Sequence, residues 1–540
     1  MRKVGAYLSS ASTRPGTDIR KVCFGYRTHE VHLDPILLVK NDLRIKNFVD
    51  VCAPRRTVVS VSLGPHVRGF SPPTPDVGYG PDAILAVAKR FGGACPPATP
   101  GALRALRDFV RRWLRANVSR LSDGDIASFE EWLLRTHYNE ARKDELRRAL
   151  AEHPELDDAC LDCKSFLKLE SYLGGDYKYP RAINSRTDAC KAHFGPAIAA
   201  VEHALFQLPW FVKYIPVSDR ARYIRDRVYR AGGRYVATDY TSFEAHFTPR
   251  VAESLEWQLY SYVLGGTAVG RRELPWIHKS LCGTNKCRFK TVVAKIEGVR
   301  MSGDMWTSLG NGFSNLMLML FLCHTKGSHC VGVVEGDDGL FEVDGDCPTK
   351  EDFANLGWTI KMEEGRELGE MGFCKQYFDL DCCENVVSPA EVLVKTGWTH
   401  SKLRFGGPAV RLALLRAKAD SILAQYPNAP VARKLADYIL RVAGPGRRAY
   451  DGGWTPGYWD RACEKRVAPY VPDIRNYSVV ERVFGVSVEL QQQIERYLDS
   501  LTRLQELACP AIDALMKDNW AQYYEKYSAD YPTAVSNALM

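Results

Sequence analysis

The triplet Gly336-Asp337-Asp338 constrains this chain more than any other feature. It lies between Cys330-Val331-Gly332-Val333-Val334-Glu335 and Gly339-Leu340-Phe341-Glu342-Val343. Two apolar, β-branched-rich runs around a tight turn predict a β-hairpin. The glycines let a partner approach the turn closely. Two adjacent carboxylates at its tip repel each other unless a cation neutralises them. Hard oxygen ligands suit Mg²⁺, with Mn²⁺ as a substitute. A surface Asp-Gly hairpin has the same local pattern, so the triplet needs company before it carries chemistry.

That company lies upstream. Arg234-Tyr235-Val236-Ala237-Thr238-Asp239 reads as a strand ending in a carboxylate, and Tyr240-Thr241-Ser242-Phe243-Glu244 turns from it into a helix. Asp239 alone fits a helix cap, and Thr241 with Glu244 fits a capping box. Brought beside Asp337, however, Asp239 could help hold two metal ions about 3.5–4 Å apart, the arrangement for in-line phosphoryl transfer. Between the two acids runs Met301-Ser302-Gly303-Asp304-Met305-Trp306-Thr307-Ser308-Leu309-Gly310-Asn311. A Ser-Gly loop there leads into a helix whose Thr307 and Asn311, at i and i+4, share a face. Asn311 and Glu244 are candidates to hydrogen-bond a ribose 2′-OH; a loop with a polar helix start is the plainer reading. Further upstream, Lys168, Lys178, Arg181 and Arg186 lie in short, basic, Pro-containing segments. These could line a channel for a triphosphate, or form a solvated basic surface.

With 540 residues, the chain can build one large core or several domains. A net charge of +8 permits an anionic partner without requiring one. Arg104, Arg107, Arg111, Arg112 and Arg115 interleave with Leu103, Leu106, Phe109, Val110, Trp113 and Leu114 at helical spacing. That pattern predicts an amphipathic helix with a basic face, either solvated or turned to RNA or a membrane surface. The start of the chain shows no secretory h-region. The longest apolar run, Leu316 to Cys323, is far below the ~20 residues of a membrane span. The 16 cysteines are scattered, as expected of reduced thiols inside a cell. Cys160-Leu161-Asp162-Cys163 is a lone CxxC without a second pair at zinc-finger spacing. Breakers at 71–75 and 95–101 separate an extended N-terminal segment from a helical stretch over 102–157. Residues 410–527 read as mostly helical, interrupted by a Gly-, Pro- and Trp-rich loop.

In this order, Lys-x-Glu, Lys-x-Pro-Arg-x-Ile, Asp-x4-acid, Ser-Gly-x3-Thr-x3-Asn and Gly-Asp-Asp resemble a viral RNA-dependent RNA polymerase of a positive-strand RNA virus. The Met301–Asn311 motif resembles the tombusvirus-like branch. The resemblance covers roughly 164–380. It implies an α/β (α+β) right hand: an N-terminal extension and fingertip region at 1–157, fingers at 158–230 and 260–299, a palm at 231–259 and 300–380, and a helical thumb at 381–540. The palm would be an antiparallel sheet backed by helices. It implies Asp239, Asp337 and Asp338 as metal ligands. Ser302, Gly303, Thr307, Asn311 and Glu244 would position template and ribose. Lys168, Lys178, Arg181 and Arg186 would grip the triphosphate. A lysine on a helix-loop after the hairpin would protonate pyrophosphate, with Lys361 as the candidate. Phe373-Cys374-Lys375-Gln376-Tyr377 resembles the primer grip, through Cys374 and Lys375.

The implied reaction is RNA synthesis from rNTPs on a single-stranded RNA template by two metal ions, producing nascent RNA. Its expected setting is the host cytoplasm, in a replication complex attached to membranes through viral or host proteins. Two departures stand out: Glu244 replaces the commoner Asp, and Trp306 replaces a small polar residue, either packing or stacking on a template base. Rival readings are a reverse transcriptase and a catalytically inactive, polymerase-shaped RNA-binding subunit. The aromatic loop at 450–459, with Trp454, Tyr458 and Trp459, is read as a priming platform or an ordinary surface turn.

Overall fold

The computed structural model describes residues 17–18, 38–47, 60–70, 74, 77–78, 80–171, 179–290, 292–449 and 473–516. Lys178 and the aromatic loop at 450–459 lie outside them. The strands of the two larger sheets are, in chain order, β1 (Arg44–Asn47), β2 (Cys163–Leu167), β3 (Ala182–Arg186), β4 (Tyr235–Tyr240), β5 (Thr284–Arg288), β6 (Val292–Glu297), β7 (His329–Glu335), β8 (Asp338–Asp344) and β9 (Ile360–Gly365).

One sheet has the order β7-β8-β4-β9 and is antiparallel throughout. The anticipated hairpin is its β7–β8 pair, with Glu335 opposite Asp338 across the turn. The other sheet has the order β1-β6-β5-β2-β3, in which only β5 and β2 run parallel. The chain is thus a mixture of helices and mainly antiparallel sheets.

Each sheet has its own core. Helix α1 (Gly80–Lys89) packs Ile84, Leu85 and Val87 against Cys163, Leu167, Cys287, Val292 and Ala294 of the five-stranded sheet. The four-stranded sheet rests on the largest core. That core is filled by α2 (Pro100–Asn117), α3 (Asp188–Phe206), α4 (Pro249–Ser254), α5 (Glu256–Leu264), α6 (Ala268–Cys282) and α7 (Thr307–Thr325). Helix α2 forms as its spacing predicts: Leu103, Leu106, Val110 and Leu114 are buried, while Arg104, Arg111, Arg112 and Arg115 are exposed. Helix α7 is apolar nearly all round, and burial follows, since such a helix has no face to give to water.

The C-terminal region is helical, as expected. It includes α8 (Pro408–Gln425), α9 (Ala432–Ala443), α10 (Ile474–Phe484) and α11 (Val488–Ser500). Its core also takes in Leu63 and Val67 from the N-terminal segment. Val61 and Ser62 pair with Thr399 and Trp398, and Val67 bridges Leu507. Because β1 is an edge strand of the five-stranded sheet, the N-terminal segment ties that sheet to the C-terminal helices.

Candidate active site

The antiparallel register brings the acids together. Gly339 opposes Thr238 across β8 and β4, so Asp338 and Asp337 continue past that pair beside Asp239. On the other flank of β4, Lys361 stands directly opposite Asp239. Cross-strand partners of this kind hold their Cβ atoms roughly 4.5–5.5 Å apart. Lys361 was expected on a loop; it lies in β9, whose start is fixed by the amide of Thr359 donating to His246 Nε2 at 3.0 Å. Burial lowers the His246 pKa to about 4, so the ring is neutral and free to accept.

Asn315 on α7 ties the two acid-bearing strands. It is fully buried; its Nδ2 donates to the Asp337 carbonyl at 3.0 Å, and its Oδ1 accepts from Tyr240 at 3.2 Å and Thr238 at 3.3 Å. Asp337 lies at the exposed tip, yet the protein around it displaces water and raises its carboxyl pKa, with the charges of Glu244 and Asp239 adding to the effect. Desolvation, then the charge of Asp337, pushes Asp338 up to about 7. Positive charge brought to this end of the sheet would favour their ionised forms.

Asp239, Asp337 and Asp338 are not among the tightest ligand-atom groups. Among the described residues, the groups with ligand atoms within 4.8 Å of one another are His153–Asp157–Cys160 and Glu253–His278–Cys282. Cys160 therefore sits with His153 and Asp157, and Cys163 is outside that group.

Glu244 does not build a capping box. Ser242, at the N-cap of a short 3₁₀ turn over Phe243–His246, is left-handed (φ 54°) and makes no side-chain cap bond. The buried Glu244 carboxylate instead meets Arg90 Nε at 2.6 Å, just past α1. Lys89 lies close enough to Arg90 and Lys361 for their charges to add to the desolvation that lowers its pKa. Lys89 and Arg90 belong to none of the motifs named above. Their signal was a dibasic pair ending the apolar run Ala83–Ala88.

The Ser302–Gly303 loop docks on β3, where the amide of Asn184 donates to the Ser302 carbonyl at 2.7 Å. Gly303 has φ +124°, and a Cβ there would lie 2.8 Å from Ile183 Cγ2. Only glycine fits both conditions. Thr307 Oγ1 donates to the Asp304 carbonyl at 2.8 Å, and Asn311 Oδ1 accepts from Arg300 Nε at 2.9 Å. Arg300 also forms a buried ion pair with Glu256.

Arg186 departs from a phosphate-gripping role. It is buried and bonded to Asp304 Oδ2 at 3.0 Å, the Leu161 carbonyl at 2.6 Å and Asn285 Oδ1 at 2.8 Å, so its donors are occupied. Arg181 pairs with Glu170, and Lys168 Nζ lies 3.4 Å from the same carboxylate. Trp306 packs: it is 1% exposed and edge-on to Phe194 at 5.6 Å. Cys374 and Lys375 form the tip of a tight turn closed by two 2.9 Å bonds between Phe373 and Gln376. The Cys374 thiol bonds to Asp338 and lies 3.9 Å from Glu335 Oε2.

Residues 189–394 match a family model described as viral RNA-dependent RNA polymerase. The RNA-directed RNA polymerase of Turnip crinkle virus is 23% identical over 385 residues, covering 66% of this chain and 48% of the relative. That of Carnation mottle virus is 23% identical over 460 residues, covering 78% and 57%. The chain spans about half the length of the curated relatives it matches. The likeness read from the motifs is thereby shown.

Proposed function

We propose, from the match of 189–394 to the viral RNA-dependent RNA polymerase family, that this chain synthesises RNA from rNTPs on a single-stranded RNA template. The observation that carries the reading is the β4–β8 register, which gathers Asp239, Asp337 and Asp338 at one sheet end beside Lys361. The all-oxygen donor set and the raised carboxyl pKa values suit Mg²⁺, or Mn²⁺ in its place, held by Asp239, Asp337 and Asp338. Bound there, the two ions would activate a primer 3′-hydroxyl and stabilise the leaving pyrophosphate.

The chain's own groups do the rest. Asn311, with its oxygen taken by Arg300, offers its NH₂ to the ribose 2′-OH, and Arg90 holds Glu244 in place for the same contact. Ser302, Gly303 and Thr307 shape the floor beneath template and ribose. Lys168 and Arg181, joined by Lys89 and Arg90, offset triphosphate charge, while Arg186 braces the Ser302–Gly303 loop through Asp304. Lys361 supplies a proton to pyrophosphate, and the Cys374–Lys375 turn supports the primer end. In this reading the four-stranded sheet is the palm, the five-stranded sheet belongs to the fingers, and the C-terminal helices are the thumb. Partners would be template, nascent RNA and rNTPs, within a membrane-attached cytoplasmic complex assembled by other proteins.

The test is incorporation of labelled rNTPs on single-stranded RNA with Mg²⁺, comparing the wild type with Asp337→Ala. Loss of a metal ligand is expected to cut the rate by roughly 10³-fold or more. Product made equally well by the variant would sink the proposal. Preference for dNTPs would favour a reverse transcriptase, and RNA binding by a folded but inactive wild type would favour a binding subunit.

A further inference from the structure

We propose that Glu253, His278 and Cys282 form a three-ligand zinc-binding site where α4 packs against α6. His278 and Cys282 stand at i and i+4 near the end of α6, so both side chains leave the same face. Glu253 projects from α4 to meet them. His278 Nε2 lies 2.5 Å from Glu253 Oε2, and Cys282 Sγ lies 3.8 Å from the same oxygen. All three ligand atoms fall within 4.8 Å of one another.

Tetrahedral bonds of about 2.0–2.3 Å put neighbouring ligand atoms roughly 3.3–3.7 Å apart. The sulfur–oxygen spacing already fits, and the imidazole–carboxylate contact needs to open by less than about 1 Å. The donor set decides the metal: one thiolate, one imidazole and one carboxylate suit zinc, whereas Mg²⁺ and Ca²⁺ prefer oxygen alone. Water completes the fourth position, since Glu253 and His278 are both partly exposed. The Trp257 ring stands edge-on to His278, with centroids 4.7 Å apart at 79°, and fixes the imidazole plane. Binding displaces the Cys282 proton to solvent and involves no change of oxidation state.

The site would join two segments that lead to the chemistry. Helix α4 follows the turn carrying Glu244, whose carbonyl accepts from the Arg300 amide at 3.0 Å. Helix α6 runs through Gly283 into β5, and the Gly283 carbonyl accepts from the Gly298 amide at 2.8 Å. A metal here clamps the end of the acid-bearing turn to the root of the five-stranded sheet. The inference is independent of the polymerase reading, because it needs no substrate.

The experiment is titration of the full chain, stripped of metal, with Co²⁺ as a spectroscopic stand-in, followed by displacement with Zn²⁺. One equivalent should give a thiolate-to-cobalt band that Zn²⁺ abolishes. Cys282→Ser should remove the band, His278→Ala should weaken binding at least about tenfold, and Cys160→Ser should leave both unchanged. Absence of the band in folded wild type overturns the proposal. So does a band that survives in Cys282→Ser or vanishes in Cys160→Ser, which would move the site to His153–Asp157–Cys160. Should Cys282→Ser fail to fold, His278→Ala decides, and unchanged cobalt affinity in it overturns the proposal.

Discussion

Asn315 shows how one side chain can set the spacing of two charged strands. Its amide holds the Asp337 carbonyl from below while its oxygen collects Tyr240 and Thr238. Asn315→Ala removes the donor to the Asp337 carbonyl and leaves the buried Tyr240 hydroxyl without its partner, at about 1–3 kcal/mol, while Thr238 keeps the Gly339 carbonyl. Its thermal midpoint should fall, and nucleotide incorporation should fall with it; unchanged incorporation would remove Asn315 from the positioning of Asp337. Asp338 carries a pH signature. Its carboxyl is pushed from an ordinary 3.8 to about 7, so between those values the folded chain holds a proton that the unfolded chain releases. Stability from this group is complete below about pH 4 and is lost as pH rises through about 7. Without metal, the thermal midpoint should fall between about pH 5.5 and pH 8 by more in the wild type than in Asp338→Asn. Mg²⁺ at the upper pH should restore it in the wild type; equal pH slopes in both proteins would contradict the assignment. The acids were legible because Asp239, the Met301–Asn311 motif and Gly336-Asp337-Asp338 follow one another in a set order, whereas the triplet alone also fits a surface hairpin. Asn315 and Arg90 were not, because a single polar residue in an apolar helix and a basic pair after one look ordinary until tertiary contacts give them partners.

Among the elements, the turn at 373–376 stores strain. Cys374 and Lys375 both adopt left-handed backbone, with φ of 52° and 61°. A two-residue turn of that hand favours Asn-Gly, and each ill-suited residue costs of order 1 kcal/mol. Lys375→Asn should hold stability or raise it by up to about 1 kcal/mol, because Asn tolerates this conformation. If the amine supports the primer end, the same variant should extend a primed template more slowly. A loss of both stability and extension would mean that the lysine packs rather than grips. Helix α7 offers a second test. A Cβ on Gly310 would overlap the Glu256 carboxylate and Arg300 guanidinium. Gly310→Ala should therefore cost roughly 1–3 kcal/mol in chemical denaturation, although alanine is the better helix former. The hairpin was readable from two β-branched-rich runs around a tight turn and α2 from its 3.6-residue apolar spacing, whereas α7, apolar nearly all round, announced itself only through Thr307 and Asn311 at i and i+4. The strand holding Lys361 was not: Ile360-Lys361-Met362-Glu363-Glu364 alternates only weakly, and its pairing with β4 comes from 120 residues upstream.

At the scale of the molecule, the N-terminal segment is what sequence reading could least anticipate. It carries no motif, yet β1 extends one sheet while residues 60–70 enter the core of the C-terminal helices. Its pairings are backbone hydrogen bonds to distant partners, such as Leu63 to Gly397 at 2.8 Å and Arg68 to Leu507 at 3.0 Å, and such partners leave no local signature. Val67→Asp would place a charge at a fully buried position. Amide exchange is expected to rise together at 60–70 and 501–512 while the β7–β8 hairpin stays protected. A rise confined to 60–70 would show that the two ends are not coupled. The same arrangement imposes an order on biosynthesis. Val67 leaves the ribosome about 440 residues before Leu507, a wait of roughly 20–90 s at usual translation rates. Through that interval the early segment can close on β6 and then on Trp398–Thr399 but not on Leu507, so its enclosure is finished only when that stretch emerges, and a translation product halted early would carry its acids on an unfinished frame.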